Sequence, residues 1–360
     1  MNFTLPRTDL WEYLRATDKT VVMYGMGNGA DKILAVCEQY GIAVADFFAS
    51  DGFVRGHSFH GKTVLSYSAV KEKYGADRII VLLSFASSRP EVLETIRRVA
   101  AECELYAPDV PVFGNTLFHR SFFEEHREDF ARAYSLLADE ESRRMFESVV
   151  WYKLTGDVSH LFAIESDKDE VYRTLLHAED IHSALDLGAY NGDTVRELRT
   201  YAPQLETVFA MEPDRRSYRK LCEFKESLGT TLDLRTVQAA AWSREEILRF
   251  GDEGNRNSSL SATGNATKIT EVAALPPDRF VNGHPIDYIK YDVEGAEAEA
   301  LIGSREIILR DRPKLLVSAY HRSEDLYALP LQIYEMRPDY RLYLRRYPYI
   351  PAWDLNLICV

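Results

Sequence analysis

The stretch ALDLGAYNGDTVRELRTY, residues 184–201, carries a buried run (Ala184 to Leu187), a glycine turn and an amphipathic helix (Thr194 to Tyr201). A strand that hands over to a helix through glycines is the start of a βαβ unit, and it sets the fold class of everything downstream. Gly188 and Gly192 let the backbone turn sharply and come close to a ligand with no Cβ in the way. Asp186, at the end of the strand, is placed to accept from a ligand amino group or to brace the loop. Tyr190, Asp193 and Thr194 complete the turn and the first residues of the helix.

The alternation continues outward from this turn. A strand (Thr207 to Met211) ends on FAMEPD, residues 209–214, and a helix follows from Arg215 to Leu228. Glu212 and Pro213 fall at the strand tip, where a carboxylate about 20 residues past the turn can take both ribose hydroxyls of an adenosine. A dinucleotide loop would show G-x-G-x-x-G. Here the acid precedes the first glycine and the glycines stand four apart, which is the spacing of an S-adenosylmethionine loop.

Further on come a strand (Leu234 to Ala240), an irregular Gly/Ser/Asn-rich stretch, a strand (Ile286 to Tyr291) and a helix (Ala296 to Leu309). The last elements are a strand (Lys314 to Ala319), a helix (Asp325 to Met336) and two strands, Tyr340 to Tyr347 and Asp354 to Val360. A Pro-rich turn joins those two with no room for a crossover, so they must be antiparallel. The expected fold is α/β, a doubly wound, mostly parallel seven-stranded sheet closing on an antiparallel hairpin.

A third signal is IKYDVEGAE, residues 289–297, at the carboxyl end of a predicted strand, where open α/β sheets bind ligands. Asp292, Glu294 and Glu297 beside Gly295 exceed what helix capping needs, although capping accounts for one or two of them. His321 ends the next strand and is a second candidate for the same site. Asp292 and His321 are therefore the candidate bases, with Glu294 and Glu297 behind them. The same four residues offer an alternative, a divalent metal that lowers the pKa of a hydroxyl.

DLGAYNGDT, FAMEPD, IKYDVEGAE and the tail KLLVSAYHRSEDLYALPLQIYEMRPDYRLYLR (residues 314–345) together resemble the FkbM family of S-adenosylmethionine-dependent methyltransferases, over roughly the last half of the chain and in the family's motif order. The resemblance implies O-methylation of a hydroxyl on a sugar, glycan or natural product. Tyr190 stands where many members of the wider methyltransferase class carry a central glycine, which FkbM-like sequences commonly lack as well.

The first segment repeats the strand–turn–helix theme. VMYGMGNGA, residues 22–30, resembles the small Rossmann-like domains found beside sugar-modifying enzymes, but puts Ala30 where a dinucleotide fingerprint has its third glycine. Asp46 or Asp51 would be its ribose acid. The competing reading is a turn that only packs strand against helix. Residues 1–115 are thus expected to form a smaller Rossmann-like α/β domain, 116–180 a helical connector and 181–360 the methyltransferase domain. Two other functions fit this layout: a metabolite sensor without chemistry, or a nicotinamide-dependent oxidoreductase using the N-terminal turn.

Composition narrows the partners. A formal net charge of -13 opposes a nucleic-acid partner, because such binders need clustered Lys and Arg. Arg341, Arg345 and Arg346 alternate with apolar residues and are expected to line a solvated sheet face. Cys37, Cys103, Cys222 and Cys359 lack any zinc or disulfide spacing and read as reduced thiols. The N-terminal residues mix charges with apolar residues, so no secretion signal is expected, and no run is long enough to span a bilayer. A cytoplasmic protein acting on a small-molecule or glycan acceptor is the expectation.

Overall fold

The computed structural model describes residues 5–54, 56–251 and 269–360. Two sheets organise them. The first contains β1 (Thr20–Tyr24), β2 (Val44–Ala49), β3 (Leu65–Ser66), β4 (Ile79–Leu83) and β5 (Glu104–Tyr106), ordered β3-β2-β1-β4-β5 with every pairing parallel. β4 is buried at all five positions, as a central parallel strand covered on both faces must be. The helix after it, Pro90–Glu102, has Pro at its first turn and buries Leu93, Ile96 and Val99.

The second sheet contains β6 (Ser183–Leu187), β7 (Thr207–Met211), β8 (Asp233–Val237), β12 (Tyr288–Tyr291), β13 (Lys314–Ser318), β14 (Leu342–Arg346) and β15 (Leu355–Cys359). Their order is β8-β7-β6-β12-β13-β15-β14, with β15 antiparallel to both neighbours and the other pairings parallel. The antiparallel ending expected from the Pro-rich turn is present. Chain direction across the sheet reverses between β6 and β12, and a crevice opens at such a switch point. The helix Arg215–Leu228 is capped by Asp214, which accepts from Arg216 N–H at 3.0 Å and Ser217 N–H at 2.8 Å, and it buries Leu221, Phe224 and Leu228.

Three details differ from the sequence reading. The strand expected to run from Leu234 to Ala240 stops at Val237, and Ala240–Ala241 (β9) joins β10 (Glu246–Gly251) and β11 (Ile269–Leu275) in a separate three-stranded sheet. Part of the supposedly irregular stretch is therefore strand, and residues 252–268 of it lie outside the described residues. The helix expected from Ala296 to Leu309 is two, Glu297–Gly303 and Arg305–Asp311. At that break Gly303 packs so closely that a Cβ would stand 2.0 Å from the Trp242 carbonyl oxygen.

The third difference concerns the arginines. Arg341 is exposed, but Arg345 and Arg346 are buried, the latter completely. Helix Glu140–Thr155 covers this face of β14. Arg345 donates to Asp139 Oδ2 and Ser142 Oγ, and Arg346 donates to the carbonyls of Leu161, Ile164, Tyr347 and Tyr349. Burial pulls Arg346 down to about 10, which still leaves it charged. A strand-like alternation of charge cannot announce the helix that will lie on it.

Between the sheets the chain is helical, and Phe130, Met145, Phe146 and Val149 are buried at helical spacing. Helix Glu140–Thr155 serves both sides. Met145, Phe146 and Val149 pack with Leu344 and Leu355, while Tyr152 packs with Val81, Leu83, Ile350 and Ala352. A further link is direct, since Ser87 and Ile350 exchange backbone hydrogen bonds at 2.8 and 3.0 Å. All four cysteines are free. Among the described residues no helix is long and apolar enough to cross a membrane.

Candidate active site

The switch-point crevice is built on two turns that lock together. Gly188, at φ +87°, lies so close to the end of β12 that a Cβ would meet the Asp292 carbonyl oxygen at 1.9 Å. Gly192, at φ +81°, packs on the ring of Phe224. Between them Tyr190 takes a left-handed conformation (φ +44°), with its ring largely exposed. Both glycines are required by close approach, here to protein neighbours rather than to the ligand the sequence reading had in view.

Asp186 lies beneath this turn, buried, and neither carboxylate oxygen meets a hydrogen-bond donor among the described residues. Burial pushes its carboxyl up to about 6, against the pull of the Lys290 ammonium. An unpaired buried carboxylate costs several kcal/mol of solvation unless something supplies a donor or a positive charge. Glu212 is differently employed. Its Oε2 accepts from Tyr190 N–H at 2.7 Å and its Oε1 from Asp214 N–H at 2.8 Å, so it ties the glycine turn to the tip of β7. Burial raises it to about 7 despite those two donors. Each oxygen keeps a lone pair for a ligand hydroxyl.

The opposite wall is made by the ends of β12 and β13. Lys290, which the sequence reading passed over, donates to Thr194 Oγ1 at 3.0 Å and to Asp292 Oδ2 at 3.1 Å, joining the two walls. The signal for it was available: residues two apart on a strand share a face, so Lys290 must accompany Asp292. Desolvation opposes its charge, but Asp292 and Asp186 outweigh that and hold the ammonium firmly protonated. Burial would raise Asp292, yet Lys290 and His321 prevail and keep it below the ordinary carboxylate range. Tyr320 also donates to Asp292 Oδ1, at 3.3 Å.

His321 is 1% exposed and surrounded by acids. Its Nδ1 lies 2.9 Å from Glu297 Oε1, and its Nε2 lies 3.5 Å from Glu294 and 3.6 Å from Asp292. Desolvation disfavours the imidazolium, but Glu297, Glu294 and Asp292 together raise it to about 10. Glu297 serves the loop itself, accepting from the Val293 and Gly295 N–H groups at 3.0 and 3.4 Å, a structural use other than the helix capping the sequence reading allowed.

The metal alternative grouped Asp292, Glu294, Glu297 and His321. Among the described residues, the buried group whose ligand atoms come within 4.8 Å of one another is instead Glu297, His321 and Asp325. A cation held there would have to displace the imidazolium proton, since a doubly protonated ring has no lone pair to ligate with. Asp325 accepts from Arg322 N–H at 2.8 Å, and burial beside Glu297 raises it to about 8. The segment after β5 reaches this wall as well: Phe113 N–H donates to the His321 carbonyl at 2.9 Å, and its ring fills the space a Gly295 side chain would need. No local pattern in the sequence announces that contact.

The family model for the methyltransferase FkbM domain matches residues 186–351. The chain carries an FkbM methyltransferase domain. The crystal structure of methyltransferase FkbM from Methylobacillus flagellatus KT is similar over 99% of this chain and 94% of its own, with a TM-score of 0.73 at 22% identity. That likeness extends the shared fold through the first sheet, beyond the FkbM domain. Fibrillarin from Aeropyrum pernix, solved with natively bound S-adenosyl-L-methionine, aligns with 53% of this chain and 76% of its own at 13% identity and a TM-score of 0.33. No curated protein matches the chain.

The N-terminal turn is built differently from the FkbM turn. A Cβ on Gly29 would meet the Ser84 carbonyl oxygen at 2.2 Å, and one on Gly25 would meet Ser84 and Phe85 at 2.7 Å. Both proposed ribose acids are engaged. Asp46 lies within β2, 2.7 Å from Lys73 Nζ and bonded by the Tyr74 hydroxyl, and Asp51 accepts from Ser68 N–H and Oγ at 3.0 and 2.7 Å.

Proposed function

We propose that the chain is an S-adenosylmethionine-dependent O-methyltransferase acting on a hydroxyl of a sugar, glycan or natural product. The observation that carries the donor half is Asp186, a buried carboxylate with two free oxygens beneath a glycine turn at the switch point. A ligand bearing an ammonium and an adenosine ribose suits this wall: Asp186 faces positive charge, and Glu212 keeps lone pairs for hydroxyls. Gly188, Tyr190, Gly192, Asp193, Thr194 and Pro213 shape the loop around it. The donor is consumed at each turnover and supplies an electrophilic methyl carbon.

Asp292 and His321 belong to the acceptor side. Methyl transfer is an in-line displacement, so holding donor and nucleophile in line, away from water, supplies much of the rate. Lys290 fixes Asp292 relative to the donor loop, and His321 holds the Asp292, Glu294 and Glu297 carboxylates around one cation. The hydroxyl class of the acceptor rests on the FkbM family and on this carboxylate wall. Incubation with labelled S-adenosylmethionine and a panel of glycosides tests it: label should enter an ether methyl, and transfer to nitrogen or carbon alone would refute the O-methylation.

A further inference from the structure

Four groups on the acceptor wall could in principle accept a proton, and their surroundings differ sharply. Asp292 has both oxygens spoken for: Oδ2 accepts from Lys290, and Oδ1 accepts from Tyr320 while facing His321. Such donors stabilise the carboxylate and weaken it as a base. His321 is fully buried with a carboxylate opposite each ring nitrogen, so it holds its proton already. Glu297 is 1% exposed and clamped by the loop amides.

Glu294 is unlike these three. Its side chain is 49% exposed at the mouth of the site, and its Oε2 lies 3.5 Å from His321 Nε2. Its backbone sits at φ +54°, a left-handed conformation that costs a residue with a Cβ and persists only where the surroundings impose it. Resting on the methyltransferase reading above, we propose that Glu294 is the catalytic base, taking the proton from the acceptor hydroxyl, with His321 as its positioning residue. In that step the acceptor oxygen bonds to the methyl carbon as the carbon–sulfur bond breaks. The bonding pair passes to sulfur, the sulfonium becomes a thioether, and the hydroxyl proton moves to a Glu294 carboxylate oxygen.

The charges facing Glu294 are His321 from the end of β13 and Asp292, Glu297 and Lys290 from the β12 segment. Burial raises its carboxyl, His321 opposes, and Asp292 and Glu297 add to the rise. A carboxylate raised above its usual range and open to substrate is the better base at neutral pH.

Carboxyl carbon NMR of the full chain labelled at Asp and Glu, assigned with Glu294→Gln and Asp292→Asn, tests the assignment without an acceptor. Glu294 should titrate above Asp292. The reverse order would overturn the proposal. Glu294→Gln should also keep the melting shift given by S-adenosylhomocysteine; losing it would place Glu294 at the donor instead, whereas an absent shift in the unsubstituted protein would count against the methyltransferase reading and leave the titration order as the test of the base. With an acceptor in hand, Glu294→Gln should lower kcat by about 10²- to 10⁴-fold with the donor KM unchanged. Full activity in Glu294→Gln would refute it.

Discussion

The chain makes the same local structure twice, a buried strand, a glycine turn and a helix, and puts the two to different use. In the N-terminal turn Gly25 and Gly29 pack against Ser84 and Phe85, Asp46 Oδ2 is taken by Lys73 and Tyr74, and both Asp51 oxygens are taken by Ser68. At Gly188–Gly192 the glycines are just as tightly packed, but Asp186 is left buried with both oxygens free. A glycine turn therefore says little about ligands. Polar capacity left over inside a packed wall says much more, because a fold does not keep it without compensation.

The comparison is broken most forcefully at Gly188. Gly188→Ala would drive a Cβ into the Asp292 carbonyl at a left-handed position, so a loss of about 3 kcal/mol or more is expected, with S-adenosylhomocysteine binding abolished. Chemical denaturation and calorimetry check both. A variant with normal donor affinity would show that the two walls do not need their close approach.

Asp186 sharpens the contrast through pH. Its folded value near 6 lies above the ordinary 3.8, so its stabilising contribution is complete below about pH 4 and is lost as pH rises through 6. The donor-free protein should lose on the order of 3 kcal/mol from this group over that window. Asp186→Asn should remove that part of the pH dependence, and donor affinity in the unsubstituted protein should rise over the same window as the carboxylate forms. Melting curves at pH 4.5 and pH 7 that differ identically in both proteins would contradict the assignment.

The N-terminal turn should respond weakly. A Cβ on Gly27 meets nothing within 4 Å, so Gly27→Ala carries only the backbone cost of φ +95°, about 1 to 3 kcal/mol, and should leave S-adenosylhomocysteine affinity unchanged. Smallest of all is the effect of NAD or NADP on the full chain, which should not shift its melting at micromolar concentration. A clear shift would return the oxidoreductase reading to the first sheet.

Most of the methyltransferase sheet was legible because it obeys local rules. Thr207–Met211, Arg215–Leu228 and Asp325–Met336 fall where periodicity puts them, and the hairpin follows from a turn too short for a crossover. What escaped was set by distant neighbours. Arg345 looks like a surface residue until a helix some 200 positions earlier is laid on it. Lys290 and Tyr320 matter through partners on other elements, Asp325 through its closeness to Glu297 and His321, and Phe113 reaches Gly295 from the far side of the connector. The motifs named Asp186, Asp292 and His321, but only packing distinguishes an acid with free oxygens from one already paired.

Calorimetric titration of the full chain with S-adenosylhomocysteine is the most direct test of the donor site, carried out on the unsubstituted protein and on Glu212→Ala. The account predicts one molecule bound per chain, with affinity about 10- to 100-fold weaker in the variant, because the Tyr190 and Asp214 amides and the ribose would lose their shared acceptor. No binding to the unsubstituted chain, or equal affinity in both proteins, would contradict it.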